Sequence, residues 1–357
     1  MPSRGAKSGR SRKRSYIQNP DTLSRVDLLS DLTAVDREQA VPLAEETLSS
    51  IYKLVDQVDA WPYLQKSLDG YRTHLNKYFY FLVEGYEHPL GYILETSVNQ
   101  IQWPKFWTVD LHKRLLVLSQ GSGIEERDRF MEATIQQIHE RGEISDLRKL
   151  SDEYYGAFSN SGELVLRMNR SAAGLFGIRT FGVFLIAYVN TEQGRKFWVA
   201  QRSRGKMTYP CKLDMCVGGS LRADEAPIDC LVREAAEESS LPTKHTRTAI
   251  QASGALTYHM AVDDYGRPAS RPQTQFVYEL ELPVDMIPRP CDDEVEAFKL
   301  MSLGEIKMAL EQQDFKSNIA MTWVDYFIRH GEIDAENESK FVEICSRLHR
   351  NLDHFVI

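Results

Sequence analysis

The chain has 357 residues, of which 42% are hydrophobic and 26% charged, and its formal net charge is −8. This length suits two domains with real hydrophobic cores. The longest apolar run, residues 181–189, is too short to cross a bilayer. An acidic chain is also poorly suited to the phosphate backbone of a nucleic acid. We therefore expect neither a membrane nor a nucleic acid as the main partner.

The N-terminus differs in charge from the rest of the chain. Residues 1–20 contain six basic residues and no acidic one, and so polar a segment is expected to be disordered. We predict a basic tail over residues 1–35. A solvated tail, a mitochondrial transit peptide and a nuclear address all fit this composition. The five cysteines, odd in number and without a Cys-x-x-Cys pair, indicate reduced thiols. The expected location is cytoplasmic, with the mitochondrion and the nucleus as alternatives.

The next part, residues 36–154, is predicted to be a small α+β accessory domain. Apolar periodicity indicates helices where the spacing is three or four, and short apolar runs between turn residues indicate strands. The predicted elements are a helix over 38–60, strands over 79–83, 90–94 and 115–118, and a helix over 125–141.

The remainder, residues 155–357, is predicted to be a second domain in which strands and helices are mixed. Strand-like runs precede and follow one amphipathic helix that begins near Pro227, and helices end the chain. The predicted strands are 181–189, 196–200, 213–217, 254–259 and 274–282, and the predicted C-terminal helices are 302–312, 319–329 and 339–352.

The helix near Pro227 combines an apolar stripe with a cluster of carboxylates. Proline suits the first position of a helix, where its missing N–H has no partner to lose. At about 100° per residue, Ile228, Leu231, Val232, Ala235 and Ser239 share one face, which we expect to point to the core. The three glutamates that follow Arg233 crowd the flank of that face; they are Glu234, Glu237 and Glu238.

Three crowded carboxylates have two physical interpretations. They form a solvated acidic face, as most charge runs do, or they bind a divalent cation that removes their mutual repulsion. Mg²⁺ takes oxygen ligands and keeps waters that a phosphate-bearing substrate can replace. The two glycines that precede the helix, Gly218 and Gly219, let the backbone approach such a metal closely.

The longer pattern favours the metal. Gly219, Glu225, Arg233, Glu234, Glu237, Glu238 and Leu241 resemble the Nudix box, Gly-x5-Glu-x7-Arg-Glu-U-x-Glu-Glu-x-Gly-U, in which U is bulky and aliphatic. Ser240 replaces the closing glycine, which usually forms the left-handed cap of the helix. The resemblance implies an α/β fold, the Nudix α/β/α sandwich with a mixed sheet, preceded here by the small α+β domain. It also implies a hydrolase that acts on phosphoric anhydrides.

Further motifs narrow the resemblance. Residues 170–178 (RSAAGLFGI), 202–210 (RSRGKMTYP), 293–298 (DEVEAF), 315–318 (FKSN) and 325–331 (DYFIRHG) occur in one order. Together they resemble a fungal and plant Nudix group that has an N-terminal domain of unknown function. A similar module is fused to thiamine pyrophosphokinase in some fungi. The resemblance therefore implies a small-molecule diphosphate as the partner: thiamine diphosphate, or an oxo or oxy analogue removed by metabolite repair.

The resemblance also assigns roles to residues. Mg²⁺, with Mn²⁺ as an alternative, is expected on Glu234, Glu237, Glu238 and the Gly219 carbonyl. A general base is expected among Glu234, Glu238 and two glutamates from a distal loop, Glu294 and Glu296. Arg233 is expected to orient a glutamate, with Glu225 a further candidate. The basic loop could hold the outer phosphate through Arg202, Arg204 and Lys206, because Arg offers forked donors and Lys a point charge.

Three functions remain open from the sequence. The first is hydrolysis of a thiamine-type diphosphate to the monophosphate and phosphate. The second is Nudix chemistry on another substrate, either a nucleoside diphosphate derivative or an isomerisation like that of isopentenyl diphosphate isomerase. The third is a ligand-binding Nudix module without catalysis. Phosphate release separates the two hydrolases from the isomerase and from the ligand-binding module.

Overall fold

The computed structural model describes residues 50–355. The chain divides into two compact units, Met1–Thr47 and Leu48–Ile357, and all described residues belong to the second. The predicted basic tail, residues 1–35, and the first part of the helix predicted from residue 38 lie outside the described residues.

The N-terminal part combines a four-stranded sheet with helices. Its elements are α1 (Ser50–Val58), α2 (Leu68–Leu75), β1 (Tyr78–Val83), β2 (Gly91–Leu94), α3 (Glu95–Gln100), β3 (Trp107–Asp110), β4 (Leu115–Leu118) and α4 (Ile124–Arg141). The strand order is β2-β1-β4-β3, in which only the β1–β4 pair is parallel. Met131, Ile135 and Ile138 of α4, spaced by one helical turn, are fully buried in the core of this sheet.

A hairpin and a short helix lead to the second sheet. They are β5 (Tyr154–Phe158), β6 (Leu164–Asn169) and α5 (Ala173–Phe176). Tyr155 and Leu166 of the hairpin lie in the same hydrophobic cluster as the buried face of α4. Val55 of α1 lies instead in a cluster of the second sheet. Because elements of each part contribute to the core of the other, the domain limits 36–154 and 155–357 stay a prediction.

The second sheet is mixed, as expected for an α/β sandwich. Its strands are β7 (Thr180–Thr191), β8 (Gly194–Arg202), β9 (Leu213–Asp214), β10 (Val217–Ser220), β11 (Gln251–Val262), β12 (Pro268–Glu281) and β13 (Val295–Ser302). The order is β11-β12-β7-β8-β13, with β10 paired to β7 and β9 paired to β8. The β12–β7 pair is parallel and the other pairs are antiparallel.

Helices cover both faces of this sheet. They are α6 (Pro227–Ser239), α7 (Thr243–Ala249), α8 (Leu303–Glu311), α9 (Ile319–Arg329) and α10 (Phe341–Leu348). Successive side chains of a strand point to opposite faces, so Val183 and Leu185 of β7 pack with Leu231 of α6. Phe184 lies in the opposite cluster, with Trp323 of α9. The predicted Nudix-type α/β/α arrangement is therefore confirmed.

Some elements have the predicted bounds, and others differ from them because contacts between distant segments determine where they begin and end. The predicted helix 319–329 and strand 115–118 have the observed limits. The strand predicted over 213–217 is two short strands, β9 and β10, which pair with different neighbours. The C-terminal helix is shorter than predicted, and the β5–β6 hairpin was not predicted. Within residues 50–355, no helix has the length and apolar character needed to cross a membrane.

Two glycines allow the N-terminal sheet and the turn before β7 to approach each other. Gly91 begins β2 and forms a bridge to Ile178. A Cβ on Gly91 would lie 2.4 Å from the carbonyl oxygen of Phe176, and one on Gly177 would lie 2.2 Å from the carbonyl oxygen of Tyr92. Gly177 also has a φ of +62°, which side chains disfavour.

Gly177→Ala should therefore destabilise the fold. Both the backbone clash and the positive φ oppose the methyl group, and we expect a loss of about 2 kcal/mol or more in the free energy of unfolding. Gly174→Ala is the matched control, because Gly174 lies three residues away in α5 and a Cβ there meets nothing within 4 Å. Its effect should stay within about 0.5 kcal/mol. Equal effects in urea unfolding would show that the close approach at Gly177 is absent.

Candidate active site

The candidate site is built on β10, the loop that follows it, and α6. Strand β10 is antiparallel to β7, with Gly219 opposite Val183. The helix begins at Pro227, as its residue type predicts. Its buried residues pack the helix on the sheet and are Cys230, Leu231, Val232, Ala235 and Ser239. The predicted apolar face is thus confirmed, with Ile228 less buried than expected.

The end of α6 keeps its shape without the glycine. Ser240 adopts the left-handed conformation, with φ 55° and ψ 23°, and its N–H donates to the carbonyl of Ala235. The Ser240 hydroxyl donates to the carbonyl of Arg289, 3.1 Å away. Leu241 is buried immediately afterwards. The replacement of glycine by serine therefore leaves the glutamates of the last two turns in place.

Arg233 ties the loop to the helix. Its guanidinium binds both carboxylate oxygens of Glu225, at 2.8 and 3.0 Å. Nη1 of the same guanidinium donates to Glu234 at 2.9 Å and to Glu237 at 3.0 Å. Burial alone would raise the pKa of Glu225, but its hydrogen bonds to Arg233 outweigh burial and the pKa is lowered. Glu225 and Arg233 thus act as a fixed ion pair that orients Glu234, as the sequence predicted for Arg233.

Glu234 and Glu238 lie against the glycines of β10. A Cβ on Gly219 would lie 2.2 Å from Cγ of Glu234 and 2.7 Å from its Oε1, so only glycine leaves room for this carboxylate. The N–H of Gly218 donates to Oε2 of Glu238, at 3.1 Å. Both carboxylates of α6 therefore contact the backbone of β10, and a side chain at residue 219 would take the place of Glu234.

Both of these carboxylates are difficult to ionise. Burial raises the pKa of Glu234 to about 7, and Arg233 only partly opposes the effect. Burial also raises the pKa of Glu238 well above its ordinary value, and the nearby Glu234 raises it further. No ion pair among residues 50–355 involves Glu238. A group with a pKa near neutrality, as Glu234 has, is suited to proton transfer. Glu234 keeps Arg233 as a partner when it ionises, whereas Glu238 has no positively charged partner among residues 50–355.

A small polar cavity adjoins Glu238. Its volume is about 60 Å³. The charged residues that line it are Arg202, Asp214, Glu238, Glu294 and Lys316. Glu294 precedes β13, and its carbonyl accepts a hydrogen bond from the N–H of Ser203, 2.9 Å away. The distal loop thus brings Glu294, a predicted candidate base, to the same cavity as Glu238. Glu296, the other candidate from that loop, pairs with Arg204 at 3.3 Å and does not line the cavity.

The predicted phosphate-binding loop is largely occupied by internal contacts. Arg202 donates to Asp214 at 2.9 Å and to the carbonyls of Thr208 and Tyr209. Lys206 pairs with Glu294 at 2.7 Å. Arg204 is exposed on the surface, with 82% of its side chain accessible. Of the three predicted cations, only Arg202 reaches the cavity, and its donors already hold the loop together.

Two residues of the cavity were missed by the sequence analysis, Asp214 and Lys316. The FKSN motif that contains Lys316 was recognised, but only as a marker of the group. No local signal links it to β9, which lies a hundred residues earlier. Their proximity follows from the hydrogen bonds that join β9 to the segment before α9, from Leu213 N to Asp314 O and from Lys316 N to Leu213 O, both 2.9 Å.

The side chains near Gly219 offer few ready ligands for a divalent cation. In the part of the chain that the structure describes, no three carboxylate, imidazole or thiol side chains come together as metal ligands. Glu237 pairs with Arg233, and 53% of its side chain is accessible. Glu234 and Glu238, however, provide buried hard oxygens beside a residue without a side chain. This chemistry fits Mg²⁺ or Mn²⁺, provided that Glu237 exchanges Arg233 for the metal.

Comparison with known families agrees with this geometry. A profile of the NUDIX domain matches residues 180–322, and a profile of a domain of unknown function (DUF4743) matches residues 63–180. The chain carries a Nudix domain. It is accordingly a hydrolase that acts on phosphoric anhydrides, and enzymes of this type use divalent metal ions. The predicted class of enzyme is confirmed.

Relatives extend the comparison beyond the domain. An uncharacterized protein of Saccharomyces cerevisiae is 28% identical over 318 residues, 85% of this chain and 91% of that protein. Nudix hydrolase 20, chloroplastic, of Arabidopsis thaliana is 32% identical over 64% of this chain, and the match spans 59% of the plant protein's own length. A solved structure of a MutT protein from Methanosarcina mazei is 18% identical over 43% of this chain and 96% of that one, with a TM-score of 0.32.

The raised pKa of Glu238 predicts the pH response of the metal-free Nudix protein. An acid whose pKa is higher in the folded state binds more protons when the protein is folded. The stability that Glu238 contributes is therefore present below its ordinary pKa of 4.5 and is lost as the pH rises above that value. Glu238→Gln keeps an acceptor for Gly218 and removes the charge. At about pH 8, the metal-free variant should therefore unfold at the same or a higher temperature than wild type.

Magnesium should reverse this order in calorimetry. An ion bound by Glu238 would neutralise it and raise the Tm of wild type, whereas the variant would lack this ligand and should respond little. Glu311→Gln is the control, because Glu311 is exposed at the end of α8, and it should follow wild type with and without Mg²⁺. A metal-free Glu238→Gln protein that is clearly less stable than wild type would contradict the burial argument.

Proposed function

We propose that this Nudix domain is a Mg²⁺-dependent diphosphatase that converts a thiamine-type diphosphate, either thiamine diphosphate or an oxo or oxy analogue, to the monophosphate and inorganic phosphate. The observation that carries the proposed hydrolysis is the pair of desolvated carboxylates, Glu234 and Glu238, against the backbone of Gly218 and Gly219. The choice of a thiamine-type substrate is supported by the motifs that flank the Nudix box, from residue 170 to residue 331.

The proposed reaction is substitution at phosphorus. A water molecule forms a new O–P bond to the terminal phosphorus, the bond from that phosphorus to the bridging oxygen breaks, and the bridging oxygen stays with the monophosphate. A carboxylate accepts the proton from water. Glu238 and Glu234 are the favoured bases, since burial raises the pKa of Glu234 to about 7 and raises the pKa of Glu238 above its ordinary value. A bound Mg²⁺ supplies neutralisation of the phosphate charge.

The remaining site residues have supporting roles in this proposal. Glu234, Glu237 and Glu238, with the Gly219 carbonyl, would hold the metal. Arg233 positions Glu234 through its double contact with Glu225. Glu294 is an alternative base that faces the same cavity as Glu238. A cavity of about 60 Å³ is too small for a whole diphosphate ester, so the organic part of the substrate would lie on the surrounding surface.

A substrate panel tests the proposal. Hydrolysis with Mg²⁺ should be measured by separating and quantifying the products from thiamine diphosphate, its oxo and oxy analogues, ADP-ribose, NADH, coenzyme A and nucleoside triphosphates. The proposal expects the highest kcat/KM on a thiamine-type compound. Preference for a nucleotide would keep Nudix hydrolysis and reject thiamine. Conversion to a product that keeps its diphosphate intact would point to isomerisation, and binding without turnover would point to a ligand-binding module.

Substitution of the glutamates tests the chemistry on the preferred substrate. Glu238→Gln should lower kcat by at least about 100-fold, the usual effect of removing a general base. Glu237→Gln should also lose nearly all Mg²⁺-dependent activity, because the proposal requires Glu237 to leave Arg233 for the metal. Glu311→Gln should retain wild-type rates. If Glu237→Gln and Glu238→Gln both stay folded and fully active, the metal assignment is wrong.

A further inference from the structure

Lys316 occupies a fixed position beside the candidate site. It follows α8 in a segment that is bound to β9 from both sides, since Leu213 N–H donates to Asp314 O and Lys316 N–H donates to Leu213 O, each at 2.9 Å. Phe315 is buried, with 5% exposure, and anchors the segment in the core. The backbone at Lys316 is therefore held by the sheet, and its side chain reaches the cavity that Glu238 lines.

The neighbouring cations of this region each have a carboxylate partner. Arg202 pairs with Asp214 at 2.9 Å. Lys206 pairs with Glu294, and Arg271 pairs with Asp264, both at 2.7 Å. These pairs fix the walls of the site and leave their cations little free charge for a ligand.

Lys316 differs from these three cations. No ion pair or side-chain hydrogen bond among residues 50–355 involves its ammonium group. Burial lowers the pKa of Lys316; Asp214 opposes the shift, and Arg202 adds to it. A desolvated ammonium group without a partner is unfavourable, and an anion that entered the cavity would remove that cost. The cavity is thus lined both by Glu238 and by a cation that has no ion pair or side-chain hydrogen bond among residues 50–355.

We propose that Lys316 binds the phosphoryl oxygens of the substrate's diphosphate group in the cavity that it lines together with Glu238. This inference rests on the proposed function for its ligand, and it assigns the phosphate contact that the basic loop 202–206 was expected to make. Lysine suits the role as a compact charge with three donors. Arg202 then acts as a positioning residue, because its donors hold Asp214 and the loop carbonyls.

Direct binding of a substrate mimic tests the proposal separately from catalysis. The probe is imidodiphosphate with Mg²⁺, whose P–N–P bridge resists hydrolysis, titrated into the full-length protein by calorimetry. Lys316→Met removes the charge and keeps the length of the side chain. It should raise the Kd by at least about 10-fold, the effect of one hydrogen bond to a charged group. Lys316→Arg should recover part of the affinity.

Lys212→Met is the matched control. Lys212 directly precedes β9, and its ammonium donates to the carbonyl of Gln313 at 2.8 Å. Lys212 does not line the cavity, so the Lys212→Met protein should bind imidodiphosphate with the Kd of wild type. Thermal unfolding verifies that each variant is folded. If Lys316→Met fails to fold, Lys316→Gln provides the same comparison.

The outcomes separate this inference from the proposed function. Weaker binding in Lys316→Met, with Lys212→Met unaffected, supports the inference even if no thiamine compound is hydrolysed. On an active substrate, KM should rise more than kcat falls, whereas a structural defect would lower kcat and Tm together. Wild-type affinity in folded Lys316→Met would overturn the assignment, as would a wild-type protein that does not bind imidodiphosphate at all.

Discussion

The site depends on one constraint, the burial of two like charges between a helix and a glycine-containing strand. Glu234 and Glu238 lie one turn apart on α6, and the backbone of Gly218 and Gly219 replaces the water that would otherwise solvate them. Only Arg233 offers Glu234 a positive charge, and Glu238 has none in the described residues. A divalent cation would resolve this imbalance, so the proposed metal affinity follows from the same contacts that make the metal-free site unfavourable.

The sheet determines which other groups reach this site. β10 pairs with β7 at the centre of the mixed sheet, β9 pairs with β8, and β13 pairs with β8 on its other edge. This topology brings Glu294 and Lys316, each far from α6 in sequence, to the cavity beside Glu238. Acidic groups then line the cavity from α6 and the start of β13, while Lys316 supplies a cation from a segment bound to β9.

Much of this architecture could be predicted from local sequence. Pro227, the apolar stripe and the spacing of the glutamates predict α6, its first residue and its buried face. The glycines before it were expected to let the backbone approach a metal, which stays a prediction; in the structure, Gly219 leaves room for the side chain of Glu234. What could not be predicted depends on contacts between distant segments. Glu237 pairs with Arg233, Arg202 is held by Asp214, and Lys316 reaches the cavity only because β9 binds its backbone. Periodicity and motif spacing carry no information on such long-range pairs.

The central claim, that the buried glutamates of α6 form a divalent-metal site, is tested most directly by anomalous diffraction from crystals that contain Mn²⁺. The account predicts one strong anomalous peak beside Gly219, within ligand distance of Glu234 and Glu238, with Glu237 turned away from Arg233. A crystal at saturating Mn²⁺ with no peak there, and with Glu237 still paired with Arg233, would contradict it.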